Sequence, residues 1–236
     1  MTTRKIGLVG GMGPESTLIY YKEINRMICD SCGGGRFPEI AIESVDMYKF
    51  FEYLKAGELE QLEQYMWEKI ENLLGCKCEI IALACNTVHV VYHSLAKRLK
   101  AKSDVPLISL PKITCDEAKR RCFRKVGLLG TLYTMKMDFF KQDFISAGVE
   151  VITPDDDNKA KISSIIIDEL EMGIVKPSSQ AALIEQIQEM QKMHGIEAVI
   201  LGCTELPLAL NEDNCPLPYL DTMQLHIEKL VEISLE

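Results

Sequence analysis

Two cysteines stand where a thiol can do chemistry. Cys85 closes the apolar run Glu79-Ile80-Ile81-Ala82-Leu83-Ala84 and is followed by Asn86-Thr87; Cys203 closes Glu197-Ala198-Val199-Ile200-Leu201-Gly202 and is followed by Thr204-Glu205. Small hydrogen-bonding residues suit the N-cap of a strand-to-helix turn, where exposed backbone N–H groups bind a carboxylate and make a neighbouring thiol more acidic. One such cysteine would point to nucleophilic catalysis. Two equivalent ones point to proton transfer, because inverting a stereocentre requires a proton to leave one face of a carbon and another to arrive on the opposite face. One thiol must then start as thiolate and the other as S–H, with the roles exchanged for the mirror-image substrate. A reference thiol pKa of about 8.5 can be tuned towards neutrality, which suits the task.

The equivalence rests on an internal repeat. Lys5-Ile6-Gly7-Leu8-Val9-Gly10 recurs 120 residues later as Lys125-Val126-Gly127-Leu128-Leu129-Gly130. The two cysteine runs are 118 residues apart, and Pro106-Leu107-Ile108-Ser109-Leu110 is echoed 110 residues later by Pro216-Leu217-Pro218-Tyr219-Leu220. Short apolar runs alternating with amphipathic stretches give the βαβ pattern of a parallel sheet. Strands are expected near 5–10, 39–44, 79–84 and 106–110, and again near 125–130, 149–153, 197–202 and 216–220. Helices are expected over Glu58–Leu74, with Leu59, Leu62, Met66, Ile70 and Leu73 on one stripe, and after Pro177. In the second, Ser178 or Ser179 caps the start, Leu183, Ile184, Ile187, Met190 and Met193 form the core face, and Gly195 stops it. The expected fold is therefore α/β, with two pseudo-symmetric lobes, each a mainly parallel four-stranded sheet flanked by helices, and the active site in the cleft between lobes. Lobe 1 is expected to comprise residues 1–104 plus 213–236, and lobe 2 residues 105–212. Ligands of open parallel sheets sit beyond the carboxyl ends of the strands, where both cysteines fall.

Composition narrows the substrate. A 236-residue chain with formal charge −9 and no basic block repels phosphate backbones and anionic lipid, which excludes nucleic acid and membrane surfaces as partners and leaves small molecules. The first 22 residues hold only the short apolar run Ile6–Val9, no signal-peptide core, and no run reaches the roughly 18 apolar residues of a membrane span, so a cytoplasmic protein is expected. Nine cysteines, an odd number placed in apolar strand-like runs, read as reduced thiols, most of them small buried hydrophobes. Other motifs fall short. Gly11-Met12-Gly13-Pro14-Glu15-Ser16 has Ser where a dinucleotide loop needs its third glycine. Cys29-Asp30-Ser31-Cys32 has C-x-x-C spacing, but Cys76-Lys77-Cys78 does not and no histidine partner sits nearby; His89-Val90-Val91-Tyr92-His93 lacks the glutamate of a zinc protease, so no metal is expected and packing or cap roles suit these histidines.

Several of these segments together resemble the aspartate/glutamate racemase family. They are Gly10-Gly11-Met12-Gly13-Pro14-Glu15-Ser16-Thr17 with Tyr20-Tyr21 and Ile24-Asn25, Ala84-Cys85-Asn86-Thr87-Val88-His89, Gly130-Thr131 with Thr134-Met135, and Leu201-Gly202-Cys203-Thr204-Glu205-Leu206-Pro207. The resemblance implies a racemase of aspartate or glutamate with catalytic thiols Cys85 and Cys203, no pyridoxal phosphate or other cofactor, and a homodimer. It implies that Asn86 and Thr87 hold the α-carboxylate, that Met12 lies at the pocket, and that Thr131, Thr134 and Thr204 donate hydrogen bonds. Lys161 resembles the residue that meets the side-chain carboxylate of an acidic amino acid; its alternative is an exposed lysine offsetting Asp155-Asp156-Asp157. His226 borders the site by analogy. No arginine occurs in Glu43-Ser44-Val45-Asp46-Met47-Tyr48, where some aspartate racemases carry one, and the Asp-Ser-Gly-type opening of glutamate racemases is absent. The alternatives are a decarboxylase or cis–trans isomerase of small dicarboxylates on the same scaffold, or a non-catalytic protein that binds an amino acid or dicarboxylate.

Overall fold

The computed structural model describes residues 3–236, which divide into two compact units. The first runs to Ser109 and resumes at His226; the second spans Leu110–Leu225. In the first, the order is β1 (Ile6–Gly10), α1 (Pro14–Ser31), β2 (Ile40–Ser44), α2 (Met47–Ala56), α3 (Leu59–Gly75), β3 (Ile80–Leu83), α4 (Tyr92–Lys102) and β4 (Leu107–Ile108). The second has α5 (Leu110–Arg120), β5 (Lys125–Leu129), α6 (Leu132–Lys136), α7 (Gln142–Ser146), β6 (Glu150–Ile152), α8 (Asp156–Asp168), α9 (Pro177–His194), β7 (Ala198–Leu201) and β8 (Tyr219–Asp221). Then α10 (Thr222–Leu235) carries the chain into the first unit.

Each unit holds one four-stranded parallel sheet, ordered β2-β1-β3-β4 in the first and β6-β5-β7-β8 in the second. The central strands β1, β3 and β7 are buried along their whole length, as parallel strands covered on both faces must be. The repeat holds rung by rung: Val9 pairs with Leu83, and Leu129 with Leu201. Glu79 and Glu197 brace equivalent ladder starts, their carboxylates accepting from Lys5 N at 2.9 Å and from Arg124 N at 2.5 Å. The third match shifts, however. Ile81 N donates to Pro106 O and Val199 N to Pro218 O, both at 3.0 Å, so Pro106 corresponds to Pro218 and not to Pro216. The last strand accordingly starts at Tyr219.

The unit boundaries also differ from those expected. Residues 105–109 stay with the first unit because β4 pairs with β3, and 213–225 with the second because β8 pairs with β7. The helix after Pro177 is not capped by serine: Lys176 takes the cap position and Pro177 the first helical position, where its missing N–H is no loss. Gly195, at φ 69°, does end it. Leu183, Ile187 and Met190 are buried in the core of the second unit, whereas Met193 is 75% exposed, since its turn runs past the core.

None of the nine cysteines lies in a strand, contrary to the sequence reading. Only Cys78, Cys115 and Cys203 are buried, and none of the nine is in a disulfide. Burial pushes the Cys78 and Cys115 thiols up to about 11, so those two remain protonated packing residues.

One glycine is dictated by space and backbone together. Gly11 has φ +88°, and a Cβ there would stand 2.5 Å from Ser44 Oγ and 2.8 Å from the Val45 backbone N and O. Gly11→Ala is expected to cost about 2 kcal/mol in urea unfolding, since both the left-handed backbone and the overpacking oppose it. Gly35→Ala, which meets nothing within 4 Å, should stay within about 0.5 kcal/mol.

Candidate functional site

In the first unit the candidate residues gather at the carboxyl edge of the sheet. Ala84 N donates to Val9 O at 2.9 Å, and the chain then leaves the ladder at Cys85, two residues beyond Leu83. The half-buried Cys85 is followed by Asn86 and Thr87, both buried. The loop after β1 places buried Met12 at the same edge, with Gly11 N donating to Thr17 Oγ1 at 2.9 Å. The turn after Cys85 is not the start of an α-helix. It is a 3-10 helix over Thr87–Val91, with Asn86 at its cap position in an αR conformation, so the expected side-chain cap does not form.

His89 holds this turn from inside. Its Nδ1 lies 2.8 Å from the Cys85 carbonyl, and because a carbonyl only accepts, Nδ1 must carry the hydrogen. Burial pushes His89 down to about 4, which leaves the imidazole neutral near pH 7. His226, which family analogy placed at the border of the site, is fully buried and is pushed down to about 3, by burial first and then by His89. Tyr20 Oη lies 2.8 Å from His226 Nδ1, with the rings edge to face.

The second unit repeats the exit and changes what surrounds it. Gly202 N donates to Leu129 O at 2.7 Å, and Cys203 stands two residues beyond Leu201. Here the thiol has a carboxylate partner: Cys203 Sγ donates to Glu205 Oε2 at 2.9 Å, and Thr204 Oγ1 donates to the same oxygen at 2.8 Å. Glu171, on the turn after α8, is pushed up to about 7 by desolvation and then by the charges of Glu205 and Asp168, although the residue as a whole remains exposed. Thr131 precedes α6, its Oγ1 3.2 Å from that of buried Thr134, and Leu132 N donates to Ser163 Oγ on α8 at 3.1 Å. Lys161 is exposed on α8 and makes no ion pair among the described residues. The acidic triplet beside it is met otherwise: Asp155 caps α8 by accepting from Asn158 N at 2.9 Å, and Lys159 pairs with Asp156 at 3.1 Å.

Glu205 is the residue that sequence reasoning passed over, although it stood inside the second cysteine segment. The available signal was a carboxylate two residues after a candidate thiol, close enough for their side chains to meet. Tyr20 carried no local signal, because its partner His226 is 206 residues away.

A family model described as Asp/Glu/Hydantoin racemase matches residues 9–230. The crystal structure of an aspartate racemase homologue from Pyrococcus horikoshii OT3 is 33% identical with a TM-score of 0.84, covering 99% of this chain and 100% of that one. The broad specificity amino-acid racemase RacX of Bacillus subtilis is 24% identical over 226 residues, 92% of each chain. Glutamate racemase of Streptococcus suis is 25% identical over 153 residues, 63% of this chain and 53% of that one, so that match spans about half the relative's length. Among the described residues no helix is long and apolar enough to cross a membrane.

The two depressed imidazoles set an acid limit. A histidine that is neutral when folded and protonates near 6.5 when unfolded makes the unfolded state bind more protons, so stability rises with pH across the interval between the two values. Unfolding free energy should therefore be flat above about pH 7 on this account and fall by up to about 1.4 kcal/mol per pH unit per histidine between about 6.5 and 4. Urea titrations at successive pH values check this, and His226→Gln should flatten that slope.

Proposed function

The chain belongs to the Asp/Glu/hydantoin racemase family, and we propose that it interconverts the L and D enantiomers of an amino acid, aspartate or glutamate, by two-base proton transfer between Cys85 and Cys203 without a cofactor. The observation that carries this reading is the equivalence of the two thiols. Each stands two residues past a strand residue, Leu83 or Leu201, whose partners Val9 and Leu129 are themselves equivalent in the repeat. The mechanism requires the two sulfurs to address opposite faces of one α-carbon.

In the proposed reaction the α C–H bond breaks, its proton passes to one thiolate, and the electron pair moves towards the carboxylate, which hydrogen-bond donors hold. The opposite thiol then gives its proton to the α-carbon and becomes the thiolate. One sulfur gains a proton and the other loses one, so the pair ends poised for the reverse reaction. In this proposal Cys203, whose Sγ–H is donated to Glu205, would be the resting acid and Cys85 the resting base. Asn86 and Thr87 would hold the α-carboxylate and Met12 the apolar side. Thr131, Thr134 and Thr204 would supply hydrogen bonds, Thr204 by sharing its hydroxyl between Glu205 and substrate. Lys161, with no ion pair of its own, would meet the side-chain carboxylate. The same proposal has the enzyme act as a homodimer in the cytoplasm.

Incubating single enantiomers of aspartate and glutamate in D2O should give loss of optical rotation together with deuterium at the α-carbon, with no additive. Cys85→Ala and Cys203→Ala should each lower the rate by about a thousandfold or more, since each removes one acid–base group. A Cys85→Ala protein that racemises at full rate would overturn the two-base reading. Glu205→Gln tests the resting assignment: with the carboxylate gone, Cys203 loses its proton more easily, and the alkaline limb of the rate profile should move to lower pH by roughly one unit.

A further inference from the structure

The two thiol-bearing turns satisfy the cysteine's own carbonyl in different ways. In an α-helix the Cys85 carbonyl would accept from the backbone N–H four residues on, which belongs to His89. Here that N–H bonds Asn86 O at 3.1 Å in the 3-10 pattern, and the carbonyl accepts from His89's imidazole at 2.8 Å. In the second unit the Cys203 carbonyl accepts from Leu206 N at 3.2 Å, and the position equivalent to His89 is Pro207, which has no donor. A side chain thus does in the first unit what the backbone does in the second.

We infer that His89 is a positioning residue: its neutral imidazole clamps the Cys85 carbonyl and so sets the direction in which the Cys85 thiol and the Asn86 and Thr87 N–H groups leave the strand. This rests on the reading of Cys85 as a proton-transferring thiol. The surroundings of His89 suit a clamp and not a proton carrier. Tyr92 stacks on the ring with centroids 5.4 Å apart and planes 18° from parallel. The titratable groups that face it are Cys85, Tyr92, His93 on α4 and His226 on α10, with Tyr20 of α1 beyond His226. Burial outweighs the backbone carbonyls that favour a protonated ring, and each imidazole is held well below the ordinary histidine value.

The geometry distinguishes the two ring nitrogens, and so do two substitutions. An Asn side chain places an amide N–H where Nδ1 stands; a Gln side chain places it where Nε2 stands. His89→Asn should keep kcat/KM within about threefold of the unaltered protein, and His89→Gln should lower it about tenfold or more, because small displacements of a reacting group are costly. The shape of the pH–rate profile should be the same in all three, since the imidazole is neutral throughout. The rate at which iodoacetamide alkylates Cys85, measured in a Cys203→Ser background, should fall in the same order. A folded His89→Asn protein as slow as His89→Gln, or one that has lost a limb of the profile, would show that the imidazole moves protons and does not merely hold the turn. Equal, undiminished activity and alkylation in both variants would show that it does neither. Failure of His89→Asn to fold would also count against the clamp, because the amide would then not replace Nδ1. Absence of racemisation by the unaltered protein would sink the functional reading alone, for the alkylation order still reports on His89.

Discussion

In each sheet the carbonyl of a central strand residue, Val9 or Leu129, accepts from the backbone N–H of Ala84 or Gly202, and the chain leaves the ladder one residue later at a cysteine. That rung fixes where the thiol can be. Parallel pairing makes all strands of a sheet end at one edge, so the loops after β1 and β3, or after β5 and β7, are brought to the same place by backbone bonds alone. The rung also limits the residue before the thiol. A Cβ at Gly202 would sit 2.7 Å from the Leu129 carbonyl oxygen, which explains a glycine there, whereas the first unit accommodates Ala84.

Duplication supplies two equivalent thiols, whereas the proposed two-base reaction would need them unequal at any instant, one charged and one not. The surroundings of the two thiols differ at positions where the repeat is not kept. Thr87 is replaced in the second unit by Glu205, a carboxylate that takes the Cys203 hydrogen. His89 is replaced by Pro207, and the buried imidazole is backed by Tyr20 and His226. A carboxylate beside one sulfur and a buried imidazole on the carbonyl of the other cysteine are different electrostatic environments for the same functional group.

Much of the architecture was legible because it is periodic. Eight apolar runs gave eight strands, and the Glu58–Leu74 stripe gave α3 almost residue for residue. Chain distance hid the rest. Pro216 offered a plausible echo of Pro106, and only the bond from Val199 N to Pro218 O shows that the true counterpart lies two residues on. The apolar runs predict strand form to 84 and 202, next to each thiol, while β3 ends at Leu83 and β7 at Leu201, one residue earlier. Thr87 and Thr204 suited a capped α-helix, yet both turns tighten into 3-10 form, a choice set by backbone bonding that composition does not encode. Both chemically informative contacts, from Cys203 to Glu205 and from His89 to the Cys85 carbonyl, join residues within one turn. They were visible as neighbours and invisible as partners.

The path from β3 to β4 runs through a regular helix, α4, while the path from β7 to β8 has only a 3-10 turn and a loop. In that loop, polar side chains add to the turn bonds of the backbone. Gln180 Nε2, from α9, and Asn214 Nδ2 both donate to Ala209 O, at 2.8 and 3.0 Å; Asn211 N donates to Asn214 Oδ1 at 2.9 Å and Asp213 N to Asn211 Oδ1 at 3.0 Å. A helix shortened by one residue rotates everything after it, but a segment laced by separate side chains can gain or lose residues piecemeal. The segment after Cys203 can therefore change length in smaller steps than the helical segment after Cys85, where a single deletion would turn the rest of α4.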